Sequence, residues 1–214
     1  MVYWKAQPAL QLVSIITHPL RSCTHGATVV YWLYKNEVRF EAKFRLYIWG
    51  RNKSKVFVTA AKAVQHDLEV TRSVPQWQTD WTSNYITSSG FDLYGFKTEK
   101  GELVALAAYE VRNRTMGVHV VYMESQAESN RALVEAPKYR GIGRALIAYG
   151  IKLSVDAGFN GDVTLDAKTP ELARHYERDF GAIHLPSRKS HAAPRYLICD
   201  EAAQMIVTDY LEED

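Results

Sequence analysis

The stretch from Lys138 to Leu146 reads KYRGIGRAL, a turn with two glycines that runs directly into a helix-forming segment. Glycines at 141 and 143 allow the backbone to approach a ligand closely, and the free N–H groups and dipole of a helix N-terminus favour a pyrophosphate. The stretch lacks the Gly-Lys-Ser or Gly-Lys-Thr ending of a Walker loop and the three glycines of a dinucleotide fingerprint. It predicts an anion site of another kind. The alternative is a helix that merely starts after a glycine turn.

Segments on both sides of this turn predict an α/β arrangement. Apolar and aromatic residues at Phe91–Lys97, Leu103–Val111 and Val118–Met123 predict three strands in an antiparallel meander. After the turn, helical periodicity runs from Arg144 to Ala157, and Val163–Leu165 predicts a short buried strand.

A second helix follows that strand and carries a tyrosine. Thr169 is a favourable N-cap, Pro170 suits the first helical position, and Gly181 predicts the end of the helix. Tyr176 lies within this segment.

This order of elements resembles the GCN5-related N-acetyltransferases, in particular free-standing bacterial and phage members, over residues 91–185. In that family the turn reads Gln or Arg, two residues, Gly, one residue, then Gly or Ala, and Lys138 keeps the charge at the first position. The resemblance implies an α/β fold with a mixed, mostly antiparallel sheet, flanked by helices and splayed where the cofactor enters. We assign residues 1–50 to an N-terminal extension and residues 51–214 to the acetyltransferase domain.

The resemblance also implies an activity: direct transfer of an acetyl group from acetyl-coenzyme A to an amine, with no metal and no covalent enzyme intermediate. Thr169 stands where many relatives have Asn. Tyr176 is implied as the donor of a proton to the departing thiolate, a role that suits a phenol with a reference pKa near 10. A tyrosine that simply packs in the core is the alternative. The implied cofactor-binding residues are Lys138, Tyr139, Arg140, Gly141, Ile142, Gly143, Arg144 and Thr169.

An amine nucleophile is protonated at neutral pH, so the reaction needs a base or a chain of water molecules. Glu124 is the first candidate, because it ends a predicted strand and precedes the cofactor turn in a stretch that resembles one group of bacterial and phage relatives. Its competitors are Glu110, Asp166 and Glu128. A solvated glutamate at a strand end is the alternative for each.

Composition sets limits on the other classes of function. The formal charge of +2 supplies no strong field toward nucleic acid or anionic lipid. Cys23 and Cys199 are too few for a disulfide framework or a zinc site, and no run of about 18 apolar residues predicts a membrane helix. Without a signal-peptide pattern, we expect a cytoplasmic protein. The acceptor is left open between a protein lysine or N-terminus, a small amine, an antibiotic and the amino group of a charged tRNA.

Two other functions and a homodimer are left open as alternatives. The departures at Lys138 and Thr169 are compatible with a non-catalytic acyl-CoA-binding or interaction module. Nucleic-acid binding by the N-terminal half would rest on interleaved aromatic and basic residues. Further weak signals are an aromatic face at helical spacing (Trp77, Trp81, Tyr85), the pair His66-Asp67, His175, and a basic cluster (Arg188, Lys189, His191, Arg195).

Overall fold

The computed structural model describes residues 28–30, 41–72, 77–111, 117–186 and 193–212, with only the backbone for residues 28–30 and 41–42. The strands in chain order are β1 (Thr28–Val30), β2 (Glu41–Phe44), β3 (Tyr47–Gly50), β4 (Lys55–Lys62), β5 (Asp92–Thr98), β6 (Leu103–Glu110), β7 (Val118–Ser125), β8 (Tyr139–Arg140), β9 (Val163–Asp166), β10 (Ile183–Leu185), β11 (Arg195–Ile198) and β12 (Leu211–Glu212). The helices are α1 (Gln65–Glu69), α2 (Asn84–Thr87), α3 (Ile142–Asp156), α4 (Pro170–Phe180) and α5 (Asp200–Thr208).

Nine strands of the described residues form one sheet in the order β10-β11-β9-β7-β6-β5-β4-β3-β8. Neighbouring strands are antiparallel except β7 and β9, which are parallel. A parallel pair needs a long crossover, and α3 lies in the connection between these two strands. The predicted mixed, mostly antiparallel sheet is therefore confirmed.

Strand β6 shows why both faces of the sheet are covered. Its residues from Val104 to Tyr109 are all buried, and successive side chains of a strand point to opposite faces. Ala107 and Tyr109 belong to a core that also contains residues of α3, α4 and α5. Leu106 and Ala108 pack on the other face, in a cluster with residues of α1 and α2. Helices thus flank both faces, as predicted.

The two helices around the predicted site form close to their predicted bounds. Helix α3 begins at Ile142, two residues before the predicted start, because the glycine turn itself ends there. Helix α4 begins at Pro170 with Thr169 as its N-cap, and Gly181 ends it in the left-handed conformation, with φ of 62°.

The predicted aromatic helix is wrong. Trp77 and Trp81 lie in an irregular segment before α2, which covers only Asn84–Thr87. Both tryptophans are buried against the sheet, whereas Tyr85 is 66% exposed, so the three rings do not form one face. The two indoles are buried in a packed loop, and such burial favours apolar side chains without requiring a helix. The predicted helix start at Ser73 and Pro75 lies outside the described residues.

A small second sheet joins the two ends of the described chain. Strand β2 pairs with β1 on one side and with β12 on the other, and Arg45 N–H donates to the carbonyl of Tyr210 at 2.8 Å. Strand β3 follows β2 directly and enters the large sheet between β4 and β8. The segment predicted as an extension therefore contributes strands to both sheets.

Candidate functional site

Strands β7 and β9 separate partway along their length. Their pairing runs from Val118 opposite Val163 to Val120 opposite Leu165, and then stops. Strand β7 continues to Ser125, whereas β9 ends at Asp166. A gap therefore opens in the described part of the sheet, beside the carboxyl-terminal half of β7.

A β-bulge lies where the two strands separate. Ala108 of β6 is opposite Tyr122, whereas the next residue, Tyr109, is opposite Val120, so Val121 is the extra residue in β7. A bulge bends its strand and increases the local twist. This bend gives a physical reason for the separation of β7 from β9, and the predicted splay of the sheet is confirmed.

The gap exposes backbone groups of β7. Gln126 N–H donates to the carbonyl of Val104 in β6, at 3.0 Å. Because donors alternate between the two sides of a strand, the N–H groups of Met123 and Ser125 point away from β6 and into the gap. Opposite them, the described residues contain no paired strand. An extended ligand with amide groups can hydrogen-bond to this edge.

The glycine turn ends at the same end of the sheet as the gap between β7 and β9. Gly141 has φ of 80° and serves as the N-cap of α3, without a side-chain cap. The first intrahelical donor is Ala145, which bonds to the Gly141 carbonyl at 3.1 Å, so the N–H groups of Ile142, Gly143 and Arg144 have no acceptor within the helix. A helix that connects two parallel strands starts at their carboxyl ends. The start of α3 and the gap therefore lie on the same side of the fold.

Gly143 is a glycine that the fold itself does not need. It is exposed, and a Cβ added to it would have no heavy atom within 4 Å. Glycine in a helix costs about 1 kcal/mol relative to alanine. A bare backbone at such a position is what a closely bound ligand requires.

Lys138 lies in a hydrogen-bonded cluster centred on Glu102. The Glu102 carboxylate accepts from Lys138 Nζ at 2.6 Å, from Gln126 Nε2 at 2.9 Å and from the Tyr139 hydroxyl at 2.8 Å. Burial favours the neutral acid, but these donors outweigh it and hold the pKa of Glu102 below its usual value. The hydrogen bond to Glu102 in turn raises the pKa of Lys138. The cluster fixes the start of the turn, and Glu102 is not among the site residues predicted from the sequence.

The remaining basic residues of the turn differ in their surroundings. Arg144 pairs with Asp209 just after α5, through Nε at 2.8 Å and a second nitrogen at 2.6 Å. Arg140 is exposed in β8, opposite Trp49 of β3.

Tyr176 is buried beneath the region where β7 and β9 part. It is 2% exposed and packs against Tyr196, whose centroid is 6.0 Å away and whose strand position is opposite Leu165. Its hydroxyl has no hydrogen-bond partner among the described residues. Burial, together with the charge of Asp166, raises its pKa well above that of a free phenol. The hydroxyl therefore stays protonated and is available as a donor.

Thr169 has a structural role in this conformation. Its hydroxyl oxygen accepts a hydrogen bond from Leu172 N–H at 3.2 Å, and so caps α4. The pKa of Glu171 is lowered by its own backbone N–H and by a hydrogen bond from the Thr169 hydroxyl, so this hydroxyl hydrogen is already engaged.

Glu124 lies within β7, not at its end, and is held by two donors. Trp81 Nε1 donates to one carboxylate oxygen at 2.9 Å, and Gln78 N–H donates to the other. Both donors come from the loop that covers the face of the sheet opposite α3. The carboxylate is partly exposed beside the gap, so its position suits a base reached from that face.

The competing carboxylates are less free. Asp166 forms a two-pronged ion pair with Arg195, at 2.7 and 2.9 Å, and this pair outweighs burial to lower the pKa of Asp166. Glu128 lies 3.7 Å from Lys138. The pair His66-Asp67 is not formed, because Asp67 is buried and binds Lys97 at 2.6 Å. Glu110 ends β6 beside His119 of β7.

A cleft of about 390 Å³ lies close to Glu124 in the fold, although Glu124 is not among the residues that line it. Trp77, which precedes the Gln78 that binds Glu124, contributes one wall. An adjacent cleft of about 440 Å³ shares Glu128 and Lys138 with it. The first cleft is lined by Val70, Trp77, Glu102, Leu103, Gln126, Glu128 and Lys138.

Other sequence signals are not part of this arrangement. His175 is exposed on α4 and pairs with Asp179 at 2.5 Å. Arg188, Lys189 and His191 lie outside the described residues. Within the described ranges, no group of three or more His, Cys, Asp or Glu side chains is placed to hold a metal ion, and none of the helices there is long and apolar enough to cross a membrane.

No family model matches the sequence, and no curated protein is similar to it. Similar solved structures include a GNAT-family acetyltransferase from Listeria monocytogenes, with 13% identity, 66% of this chain and 94% of that chain covered, and a TM-score of 0.43. A GNAT-family acetyltransferase from Staphylococcus aureus has 12% identity, coverage of 65% and 97%, and a TM-score of 0.44. A mutant form of the AtaT toxin, bound to the C-terminus of the antitoxin AtaR and to acetyl-CoA, has 12% identity, coverage of 71% and 98%, and a TM-score of 0.47.

Proposed function

We propose that this chain is an N-acetyltransferase that transfers an acetyl group from acetyl-CoA to an amine by direct attack. The observation that carries the proposal is the gap between β7 and β9, which opens at the Val121 bulge on the side of the fold where α3 begins. Acetyl-CoA has a pyrophosphate, an extended arm with two amides, and a thioester. The site offers a matching feature for each: free helix amides, an unpaired strand edge and a buried phenol.

The pyrophosphate would bind at the start of α3. The N–H groups of Ile142, Gly143 and Arg144 face it, and the dipole of a 15-residue helix adds to the attraction. Bare glycine at 143 allows the phosphate oxygens to approach. Lys138 supplies positive charge nearby, although it shares that charge with Glu102. The segment Tyr139–Arg144 thus acts mainly through its backbone.

The arm of acetyl-CoA would lie along β7 as an added strand. The Met123 and Ser125 N–H groups point into the gap, and Thr169, at the N-cap of α4, would donate its hydroxyl hydrogen to the arm in place of Glu171. One of the strand amides would also receive the oxyanion when the thioester carbonyl becomes tetrahedral.

Two side chains would move the protons. Glu124 takes a proton from the acceptor amine, directly or through water, so that the nitrogen lone pair can attack the carbonyl carbon. Tyr176 then gives its proton to sulfur as the carbon–sulfur bond breaks. The raised pKa of Tyr176 opposes this transfer, but a thiolate in the same water-poor gap also becomes more basic. Their pKa values therefore rise together.

The acceptor would enter through the cleft beside Glu124, on the face opposite α3. That cleft combines an indole wall with the carboxylates of Glu102 and Glu128 and the ammonium of Lys138, so its lining keeps one net negative charge and suits a ligand that carries positive charge. Acetyl-CoA and the acceptor amine would then approach from opposite sides of the gap.

A non-catalytic acyl-CoA-binding module is the second candidate, because Lys138 is engaged by Glu102 and Tyr176 is almost fully buried. A screen of amine classes with acetyl-CoA distinguishes the two functions. An enzyme releases free thiol and yields an acceptor whose mass rises by one acetyl group. Binding of acetyl-CoA without thiol release for any amine class supports the module, and absence of binding rejects both.

A further inference from the structure

An exposed tryptophan lies beside the turn that begins α3. Trp49 of β3 is 39% exposed, and its Cδ1 is 3.3 Å from the position that a Cβ on Gly141 would take. Its ring is held edge-on against Tyr47, with centroids 5.3 Å apart. A single exposed apolar side chain needs no explanation by itself. The residues around Trp49, however, indicate a role for its exposed indole.

Strand pairing places a cation on each side of this indole. Trp49 is opposite Lys55 of β4 and also opposite Arg140 of β8. Side chains of directly opposed residues in antiparallel strands share one face, about 5 Å apart at Cβ. Lys55 and Arg140 are both exposed. One face of three adjacent strands therefore presents an aromatic ring between two positive charges.

The positive charge of Arg140 is not neutralised within the described residues. The Arg140 side chain has no hydrogen bond or ion pair there, whereas Asp209 is bound by Arg144. Lys55 Nζ lies 4.2 Å from the ring centroid of Tyr47 and forms no ion pair in the part of the chain that the structure describes. The pattern of a base-sized aromatic surface with two cations beside it that form no ion pair among the described residues suits a nucleotide.

We propose that Trp49, Lys55 and Arg140 form a site for the adenosine 3′-phosphate end of coenzyme A. Adenine stacks on Trp49, Arg140 binds the 3′-phosphate, and Lys55 adds positive charge. This inference rests on the proposed function, since the pyrophosphate at the start of α3 is what brings the nucleotide to Trp49. Strand β3, which precedes the predicted acetyltransferase domain, then selects the complete coenzyme over acyl carriers that lack adenosine.

Calorimetric titration with three ligands tests the site: coenzyme A, 3′-dephospho-coenzyme A and 4′-phosphopantetheine. Trp49→Ala should weaken both nucleotide-containing ligands by roughly five- to hundredfold, the range for loss of one stacked base, and leave 4′-phosphopantetheine unchanged. Trp49→Phe should restore most of this loss. Arg140→Ala should weaken coenzyme A by roughly tenfold or more and abolish its advantage over the dephospho form. Arg178→Ala, an exposed arginine on α4, is the matched control.

Three results would overturn the site. If folded Trp49→Ala and Arg140→Ala bind coenzyme A like the wild type, the nucleotide lies elsewhere and only this inference fails. If Trp49→Ala weakens all three ligands equally, the indole merely supports the Gly141 turn. If the wild type binds none of the ligands, the proposed function fails as well.

Discussion

Replacement of Gly143 by aspartate should change ligand affinity and folding stability in opposite directions, so it tests the ligand site separately from the fold. No heavy atom lies within 4 Å of the added Cβ, and Gly143 is exposed, so the helix has room for a side chain to start there. An acidic residue in the first turn of a helix contributes about 0.3 to 1 kcal/mol of stability, and loss of a helical glycine adds to it. We therefore expect the melting temperature of Gly143→Asp to equal or exceed that of the wild type, by about 2–4 °C per kcal/mol.

The same substitution should weaken acetyl-CoA binding. Two unit charges 4 Å apart interact by about 1 kcal/mol in water and about 4 kcal/mol at an effective dielectric constant of 20. For a pyrophosphate with two negative charges the repulsion is about 2 to 8 kcal/mol. Because Gly143 is exposed, we take the lower end, about 2 kcal/mol, which corresponds to a loss of about 30-fold in affinity.

Calorimetry at low and high salt gives the measurement, with Gly143→Asn and Gly143→Ala as controls. Asparagine has nearly the size of aspartate without its charge, so the difference between them isolates repulsion. That difference should shrink in about 1 M salt, where the screening length falls to about 3 Å. If Gly143→Asp is folded and binds acetyl-CoA as tightly as the wild type, the pyrophosphate does not lie at this turn.

Three further changes test the chemistry and the Glu102 cluster. Tyr176→Phe should lower kcat by about 100-fold with unchanged acetyl-CoA affinity and melting temperature. The control is Tyr109→Phe, which removes a hydroxyl bonded to the Leu146 carbonyl at 2.7 Å. It should cost about 1 kcal/mol of stability and leave turnover intact. Equal turnover in wild type and Tyr176→Phe would exclude the tyrosine as the acid. Glu124→Gln keeps the shape of the side chain and should lower kcat by about 100-fold at neutral pH, with recovery at high pH as the amine loses its proton unaided; a pH-independent loss would point to a structural role. For Glu102, whose pKa is depressed in the folded state, the stabilisation is present above the unfolded pKa near 4.3 and disappears as the pH falls through the folded pKa. Wild type should therefore melt above Glu102→Gln at about pH 7, and the difference should vanish in acid; a constant difference in melting temperature between about pH 7 and 3 would contradict this.

The elements around the site could be predicted from local sequence because local chemistry determines them. Gly141 adopts the positive φ that few other residues tolerate, Thr169 caps α4, and Gly181 ends it. Each signal depends on a residue and its immediate neighbours. The sheet class followed from the same kind of signal.

Features that depend on partners distant in sequence could not be predicted in this way. Val121 looks like any strand valine, and only its pairing with β6 reveals the bulge. Glu102 lies beside a turn, and its importance comes from Lys138, which is 36 residues away. The spacing of Trp77 and Trp81 matched a helix by chance, because burial against the sheet needs apolar side chains but no regular backbone. The roles of Tyr176 and Glu124 stay predictions.

The pairing of β2 with β12 also has a consequence for the order of folding during synthesis. Arg45 and Glu212, which form an ion pair at 3.4 Å, are 167 residues apart in the chain. Contacts with so large a separation form late, and a ribosome releases the first of these segments long before the second exists. Until β12 is synthesised, the edge of β2 that pairs with β12 therefore stays unpaired. On the nascent chain, the small sheet would be completed only after all the strands of the large sheet have been synthesised.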